Sequence, residues 1–202
     1  MPRPDLYYGT MTTSHVDNIL ATFNLATDDE THAGLNWYAA ANALAKNLDF
    51  HFHRAAGVIA ALSPRLRWDK NVEYAKLAYS LKGYEVTPEL LSYIPVLNNS
   101  RIKAMAMVNG AEPADTLGKG LKTNAFWDNI VNPYTSQRVT VDKHAFDIAN
   151  GVRTPYSTVI KDKDYREIEA AYVEAANLVG IAPLQMQAIT WVTWRNRKGI
   201  AE

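Results

Sequence analysis

A lysine and an aspartate that follow a short glycine-rich stretch could carry chemistry together. Lys122 stands near the start of a predicted helix, and Asp142 follows 20 positions later at the start of another. Residues 118–120 read Gly-Lys-Gly, and the two glycines allow a tight turn. Because the helix that follows presents free N–H groups, the turn predicts an anion site fit for a phosphate, to which Lys119 adds charge. The alternative is a plain helix-capping turn, with Lys122 on the surface and Asp142 as a simple N-cap.

Aromatic, amide and histidine side chains elsewhere give weaker signals. Trp68 and Asn71 fall in a predicted junction over residues 63–71 that is rich in Arg, Trp and Asn. They could contact a ligand there, or they could simply pack and cap. His51 and His53 stand two positions apart, but no third ligand is evident, so we expect no metal site.

The composition excludes several classes of protein. The 202 residues include 21 Lys and Arg and 21 Asp and Glu, so the net charge is zero and a nucleic-acid-binding face must be a local patch. The absence of cysteine excludes disulfides, thiolate zinc sites, iron–sulfur clusters and cysteine nucleophiles. No run approaches the roughly 18 apolar residues of a membrane span, and no signal peptide is evident. We therefore expect a monomeric cytoplasmic protein without a membrane partner or a cofactor.

The elements that must position the candidate residues are helices. Apolar residues recur at helical spacing between Gly, Pro and capping residues, which predicts about ten helices and no convincing strand. The segment Gly-Val-Ile-Ala-Ala-Leu is apolar all round, so the helix over residues 52–62 should be buried. An irregular arm is expected over residues 1–12, and the whole chain, residues 1–202, should form one all-α unit. Other helices are predicted over residues 28–48 (capped by Asp28 or Asp29), 101–108 (capped by Asn99 or Ser100), 121–130, 142–150, 164–179 (capped by Asp164) and 183–195.

Three segments resemble, in the right order, the helix-hairpin-helix DNA glycosylase superfamily of the endonuclease III and MutY kind. The family's hairpin reads LPGVGRKTA, and residues 117–125 read LGKGLKTNA. The family's VDTH-type helix start is matched by VDKHAFDIAN over residues 141–150, and its LLSAQ-type turn by AALSPR over residues 60–65. The resemblance covers about residues 50–155. It implies a two-lobed helical bundle in which the N- and C-terminal helices form one lobe and residues 50–155 carry the hairpin and the active centre.

The resemblance implies an active centre made of Lys122 and Asp142. Bifunctional members have, at the position of Lys122, the amine that attacks C1′ of the deoxyribose, which it can do only when uncharged. An aspartate at the position of Asp142 stabilises the positive charge developing on the sugar, or it deprotonates the attacking group. The target base must leave the stack, so the family also needs a residue that probes the duplex and a pocket for the base.

The resemblance also implies a set of DNA contacts on the hairpin, on the turn after the buried helix and near the active centre. For His144, packing inside the fold is an equal alternative to facing a phosphate, and Arg195 lies in a run, WRNRKG, that is typical of a solvated helix end. The DNA-binding residues expected are Arg65, Leu66, Trp68, Asn71, Gly118, Lys119, Gly120, Thr123, His144 and Arg195.

Two reaction types stay open within this resemblance. The segments SPRLRWDKN and TWVTWRNRKG are similar to small phage-encoded relatives, among them enzymes proposed to hypermodify thymine, the amino acid:DNA transferases. The expected substrate is a flipped, modified pyrimidine in phage DNA, in the host cytoplasm. The enzyme would either cleave the N-glycosidic bond or transfer an amine or amino acid co-substrate to an activated 5-hydroxymethyl group. The alternatives are a non-catalytic helix-hairpin-helix DNA-binding module, and a structural protein whose turn only caps a helix.

Overall fold

The computed structural model describes residues 14–197 and residue 199, and within this part of the chain there are eleven α-helices and no β-strand. The predicted all-α class is therefore confirmed, whereas the arm expected over residues 1–12 lies outside the described residues. None of the described helices combines the length and apolar character needed to cross a membrane. The helices are α1 (His15–Phe23), α2 (Asp28–Leu48), α3 (Phe52–Leu62), α4 (Trp68–Ser80), α5 (Pro88–Ser92), α6 (Asn98–Val108), α7 (Pro113–Thr116), α8 (Leu121–Val131), α9 (Lys143–Ala149), α10 (Asp162–Val179) and α11 (Pro183–Arg197).

The start of α2 corrects the predicted cap. The hydroxyl of Thr27 accepts a hydrogen bond from the N–H of Glu30 at 3.2 Å, and the Glu30 carboxylate accepts one from the N–H of Thr27 at 2.9 Å. This reciprocal pair is a capping box. The prediction of Asp28 or Asp29 as the cap is wrong because both lie in the first turn, where the helix dipole favours their charge.

Two other helices begin earlier than predicted because their N-cap residues are not of the types that usually cap helices. Leu97 is the N-cap of α6 and Lys161 is the N-cap of α10, and neither side chain makes a capping hydrogen bond. Asn99, Ser100 and Asp164, which were expected to cap these helices, therefore lie inside them. A sequence search for capping residues starts such helices too late.

Apolar side chains gather in two clusters. The first surrounds α3, whose residues 55–62 are all buried, which confirms the predicted central position of this helix. It also takes side chains from α2, α4, α6 and α8. The second cluster joins α1, α9 and α10 to part of α11. Residues 50–155 thus contribute to both clusters, because α9 and the segment before it pack in the second.

Helices α2 and α11 approach each other closely and connect the two clusters. A Cβ added to Gly34 of α2 would lie only 2.5 Å from the Cα of Ile189 in α11. On α11, Leu184 and Ala188 pack in the first cluster, whereas Met186 packs in the second. The small residue at position 34 therefore permits the contact that fixes the position of α11 beside α2.

Candidate functional site

A cleft with an empty volume of about 550 Å³ lies between helices of both clusters. Its lining combines residues of α2, α4 and α8 with residues of α11 and of the segment before α9. Because α4 begins at Trp68, inside the segment predicted as a junction, two of the candidates stand on a helix. The cleft brings together five residues that the sequence nominated: Leu66, Trp68, Asn71, Lys122 and Asp142.

Aromatic rings form much of the cleft wall. The ring centroid of Trp37 lies 4.9 Å from that of Trp68 and 5.9 Å from that of Trp191. It also lies 4.8 Å from the ring of Tyr38 and 5.9 Å from that of Phe126. Flat, apolar walls of this kind suit a planar ring, which can stack on them.

Asp142 caps a helix and also lines the cleft. One carboxylate oxygen, Oδ1, accepts a hydrogen bond from the N–H of Ala145 at 2.8 Å and so caps α9. The other, Oδ2, accepts one from the indole N–H of Trp191 at 3.2 Å. The carboxylate is thereby fixed between two elements. Each oxygen keeps a lone pair, because a carboxylate can accept about four hydrogen bonds.

Lys122 lies in the first turn of α8 and contributes to the same cleft as Asp142. Its side chain is partly buried. Among the described residues, none forms a hydrogen bond or an ion pair with its amine. A lysine in a cleft without such a partner has all its donors available to a ligand, so the amine of Lys122 and the carboxylate of Asp142 can act on one bound molecule.

A buried hydrogen-bond chain orients the polar groups on one side of the cleft. Asn129 donates from Nδ2 to Thr140 Oγ1 at 3.1 Å. The hydroxyl of Tyr38 lies 3.0 Å from Thr140 Oγ1 and 2.7 Å from Gln187 Oε1. Because Gln187 Oε1 can only accept, the single phenol proton goes to it, and the Thr140 hydroxyl donates to the phenol oxygen in return. Burial raises the pKa of Tyr38, which keeps that proton in place.

Asn71 stands apart from this chain. Its Nδ2 donates to the backbone carbonyl of Ile59 in α3 at 3.0 Å. Its Oδ1 has no hydrogen-bond partner among the described residues, although the side chain is 2% exposed. A buried acceptor without a donor costs about 1–3 kcal/mol, so a group that donates a hydrogen bond to Oδ1 would be stabilised there.

The predicted hairpin comprises the short helix α7, a turn and α8. Gly118 has a φ of 72°, in the left-handed region that favours glycine. Asn124 reaches back to donate to the carbonyls of Gly118 at 2.7 Å and Gly120 at 2.9 Å. Thr123 also donates to the carbonyl of Gly120, at 3.1 Å, so its hydroxyl closes the turn. Lys119 lies exposed at the tip.

The first turn of α8 has no side-chain cap. Gly120 occupies the N-cap position, and no side chain accepts from the N–H groups that follow. Lys103 approaches the turn from α6, and its amine donates to the carbonyl of Leu117 at 2.7 Å. The turn thus combines uncapped N–H groups with nearby positive charge, which is the arrangement that binds an anion.

A family model matches residues 2–198 of the chain, and it describes a family of unknown function, DUF7178. The chain belongs to this family. No curated protein and no solved structure matches it. Because DUF7178 covers nearly the whole chain, the cleft and the hairpin both lie within the family's boundaries.

Besides the four residues of the hairpin, three of the residues proposed to contact DNA lie outside the cleft of this DUF7178 member. Arg65 is exposed and has a φ of 61°, the only positive φ of a non-glycine residue in the described part of the chain. His144 is packed: its ring lies 6.4 Å from that of Trp191, and its Nδ1 is buried. Arg195 is 6% exposed, and its guanidinium lies 4.2 Å from the centroid of the Trp191 ring. The reading of Arg195 as a solvated helix end is therefore wrong, because the residue faces the fold.

Sequence reasoning did not nominate several residues that shape the cleft. Trp37, Trp191, Gln187 and Thr140 are not among the residues that the sequence singles out. The signal that could have found them is the number of large rings on α2 and α11, since two tryptophans in helices that cross closely often meet. Which face of each ring is left open depends on that crossing, and the sequence does not contain it.

Proposed function

We propose that this protein is a DNA-base-processing enzyme that acts on a flipped, modified pyrimidine. The observation that carries the proposal is a single aromatic cleft whose lining includes both the amine of Lys122 and the carboxylate of Asp142. The two residues lie 20 positions apart in the sequence. The resemblance to helix-hairpin-helix glycosylases implies a chemical role for each of them. In this proposal α7, the turn and α8 form the helix-hairpin-helix motif of a glycosylase-like fold.

The shape of the cleft supports a base as the ligand. The cleft is lined by five aromatic rings beside a few polar groups, a composition common in small-molecule sites. Trp37, Trp68 and Trp191 offer π-faces to a ring, and stacking on an aromatic side chain contributes about 1–3 kcal/mol per base. A base inside a duplex cannot reach such a cleft, so the nucleotide would be turned out of the stack before reaction.

The turn before α8 supports a role in holding the DNA backbone. Its uncapped N–H groups and Lys119 can bind a phosphate. Lys122 follows within the first turn of the same helix, so a phosphate held there would bring a neighbouring nucleotide towards the cleft. Arg65 and Leu66 support the proposed duplex probe, because the first is exposed and the second lines the cleft. A protein of zero net charge can bind DNA through such a local patch.

In the first reaction type, the uncharged amine of Lys122 attacks C1′ of the flipped nucleotide. The bond from C1′ to N1 of the base breaks, and the base leaves with the electron pair and takes up a proton. The carboxylate of Asp142 stabilises the positive charge that develops on the sugar. The sugar ring then opens: the C1′–O4′ bond breaks, O4′ takes up a proton, and a protonated imine forms between Lys122 and C1′. Borohydride would reduce this imine to a stable crosslink.

In the second reaction type, the glycosidic bond stays intact. The amine of an amino acid or polyamine attacks the methylene carbon on C5 of a phosphorylated 5-hydroxymethyl pyrimidine. A C–N bond forms, the C–O bond to the phosphate group breaks, and the phosphate group leaves with the electron pair. Asp142 accepts the proton that the amine loses, and Lys122 orients the charged leaving group.

Mass spectrometry of nucleosides tests the proposal and separates the two reactions. Oligonucleotides carrying 5-hydroxymethyl pyrimidines, phosphorylated or not, would be incubated with the protein and a mixture of amines and amino acids. A free base and a borohydride-trapped complex indicate the first reaction, and a nucleoside heavier by an added amine indicates the second. Unchanged DNA across the panel contradicts the proposal.

Two matched variants show whether Lys122 and Asp142 carry the reaction. Asp142→Asn keeps an N-capping side chain on α9, because asparagine caps helices as well as aspartate, so the loss of activity would not come from a broken helix start. We expect it to lower the rate by at least about a hundredfold. Lys122→Gln should lower the rate to the same extent. Lys119→Gln should weaken DNA binding and reduce its salt dependence, but it should leave the rate of the reaction on bound DNA unchanged.

A non-catalytic helix-hairpin-helix DNA-binding module is the rival function. The observation that favours it is the uncapped start of α8 beside an exposed lysine, which is sufficient to hold phosphate without any chemistry. This rival predicts that Lys119→Gln weakens binding, and that Asp142→Asn and Lys122→Gln leave every measurable property intact. Salt-dependent DNA binding without any product, in all variants, would favour the module.

A further inference from the structure

The amide of Asn71 has a fixed orientation that leaves an unused acceptor. Nδ2 must face the carbonyl of Ile59, since the reversed amide would place two oxygens together at 3.0 Å. Oδ1 is therefore the opposite end of the group. Asn71 lines the cleft, and Oδ1 has no partner within the described part of the chain. A side chain that is 2% exposed and keeps such an acceptor is complementary to a ligand with an N–H donor.

The amide of Gln187 is oriented in the opposite sense. Its Oε1, which can only accept, takes the single proton of the Tyr38 hydroxyl at 2.7 Å, and the Thr140 hydroxyl donates to the phenol oxygen in return. Nε2 is then the end that remains for the cleft, which Gln187 also lines. The residues that line the cleft thus include one unused acceptor and one unused donor, both on buried amides whose orientation is set by other hydrogen bonds.

We propose that Asn71 and Gln187 read the edge of the bound pyrimidine. Asn71 Oδ1 accepts a hydrogen bond from an N–H of the base, and Gln187 Nε2 donates one to the neighbouring carbonyl oxygen or ring nitrogen. This pair of contacts fits the N3–H and C4 carbonyl of a uracil-type base, and equally the 4-amino group and N3 of a cytosine-type base. The inference rests on the proposed function and specifies its substrate: a neutral pyrimidine with an unblocked Watson–Crick edge.

A simple ammonium ligand fits the same walls less well. Aromatic rings attract cations, and a carboxylate such as that of Asp142 would add to the attraction. The amine of Lys122 lines the cleft as well, however, and a second cation there would be repelled. An ammonium group also has no acceptor for Gln187 Nε2. The donor and acceptor pair therefore favours the base.

The experiment combines a change in the protein with a change in the base. The fluorescence of the cleft tryptophans reports binding of oligonucleotides that carry one 5-hydroxymethyldeoxyuridine or one 5-hydroxymethyldeoxycytidine. Each is compared with its blocked form, methylated on N3 for the first base and dimethylated on the 4-amino group for the second. We expect blocking of the recognised base to weaken binding at least about tenfold in the wild-type protein and less than about threefold in Asn71→Ala.

Two further variants keep this test decisive. Asn36→Ala is the matched control, because Asn36 is exposed and its amide also donates to a helix carbonyl, that of His32, at 2.9 Å. It should show the full wild-type penalty. If Asn71→Ala does not fold, Gln187→Glu replaces it. The glutamate keeps an acceptor for Tyr38 and replaces the donor by a carboxylate oxygen, so binding of the recognised unblocked base should fall at least about tenfold.

The outcomes separate this inference from the proposed function. Equal penalties in wild type and Asn71→Ala, for both bases, overturn the reading of the base edge while leaving the enzyme proposal standing if nucleoside products form. Displacement of the oligonucleotide by butylammonium but not by free pyrimidine nucleosides overturns it in favour of an ammonium site. Oligonucleotides that neither bind nor react would instead remove the proposed function.

Discussion

The two sides of the cleft differ in how far their polar groups are satisfied. On the bonded side, Tyr38, Thr140 and Gln187 form a continuous chain of hydrogen bonds. On the open side, Asn71 has a buried oxygen without a partner among the described residues, and Lys122 has a free amine. Folding normally pairs its buried polar groups. The contrast makes one side a rigid template, whereas the other side keeps polar groups that the proposed ligand would complete.

The contrast has a cost that the bonded side must offset. An unpaired buried oxygen destabilises the protein by about 1–3 kcal/mol, which is a sizeable part of a typical stability of 5–15 kcal/mol. The close contact of α2 with α11 and the hydrogen bonds behind it therefore matter for function as well as for stability. If they fail, the donor and acceptor in the cleft lose their relative positions.

The largest effect is expected from Gly34→Val, which disrupts the contact between α2 and α11 beside the cleft. A Cβ at this position would lie 2.5 Å from the Cα of Ile189, so α2 and α11 must separate. We expect a loss of about 3 kcal/mol in the free energy of unfolding, measured with urea. Ala40→Val, at an exposed position of the same helix, should cost less than about 1 kcal/mol. Equal losses in the two variants would show that the contact does not constrain the helices.

A smaller effect is expected from Thr140→Val, which breaks the bonded side while preserving shape. The variant leaves Asn129 Nδ2 without an acceptor and the Tyr38 oxygen without its donor, both in a buried place. We expect a loss of about 2 kcal/mol in the free energy of unfolding. Thr135→Val removes an exposed hydroxyl and should change stability by less than about 0.5 kcal/mol. If Thr140→Val is as stable as wild type, water or a neighbour satisfies the chain and the template is softer than described.

The sequence predicts some parts of the fold and of the cleft better than others. The buried helix α3 and the turn before α8 have strong local signals, an all-apolar run in one case and glycines in the other. Lys122, Asp142 and Asn71 were nominated from segments that resemble a known family, and their roles stay predictions. Trp37, Gln187 and Trp191 carry no local mark, because their place in the cleft depends on how α2 crosses α11. The predicted starts of α6 and α10 are late for a different reason: Leu97 and Lys161 are not residue types that usually cap helices.

A modest and pH-dependent effect is expected from Glu30→Gln, at the far end of the contact between α2 and α11. Glu30 accepts a hydrogen bond from the N–H of Thr27 and another from the side-chain amide of Asn196, both at 2.9 Å. The backbone hydrogen bond from Thr27, before other causes, lowers the pKa of Glu30. A carboxyl whose pKa is lower in the folded state stabilises the fold above its unfolded value, near 4.3, and this stabilisation disappears as the pH falls through the folded value.

Urea unfolding at several pH values checks this expectation. Glu30→Gln should lose about 0.5 kcal/mol from pH 6 to 8, because glutamine can still form the capping box. The difference from wild type should shrink as the pH falls below the unfolded value, near 4.3, and should vanish below the lowered folded pKa. Glu85→Gln, at an exposed position, serves as the control. A difference that persists unchanged at pH 3 would mean that the charge of Glu30 is not its source.

The smallest effect on stability is expected from Lys122→Gln, and it sharpens the contrast most. Lys122 has no partner among the described residues, so its loss should change the free energy of unfolding by less than about 0.5 kcal/mol. Lys103→Gln is the matched comparison, because the amine of Lys103 donates to the carbonyl of Leu117 at 2.7 Å, and its loss should cost about 1.5 kcal/mol. Both variants remove one positive charge close to the same turn, so general electrostatic effects cancel between them. If Lys122→Gln costs as much as Lys103→Gln, the amine of Lys122 is held by the fold and is not available to a ligand. If only Lys103→Gln lowers the free energy of unfolding, Lys122 does not stabilise the fold. That is the property expected of a group that acts in chemistry.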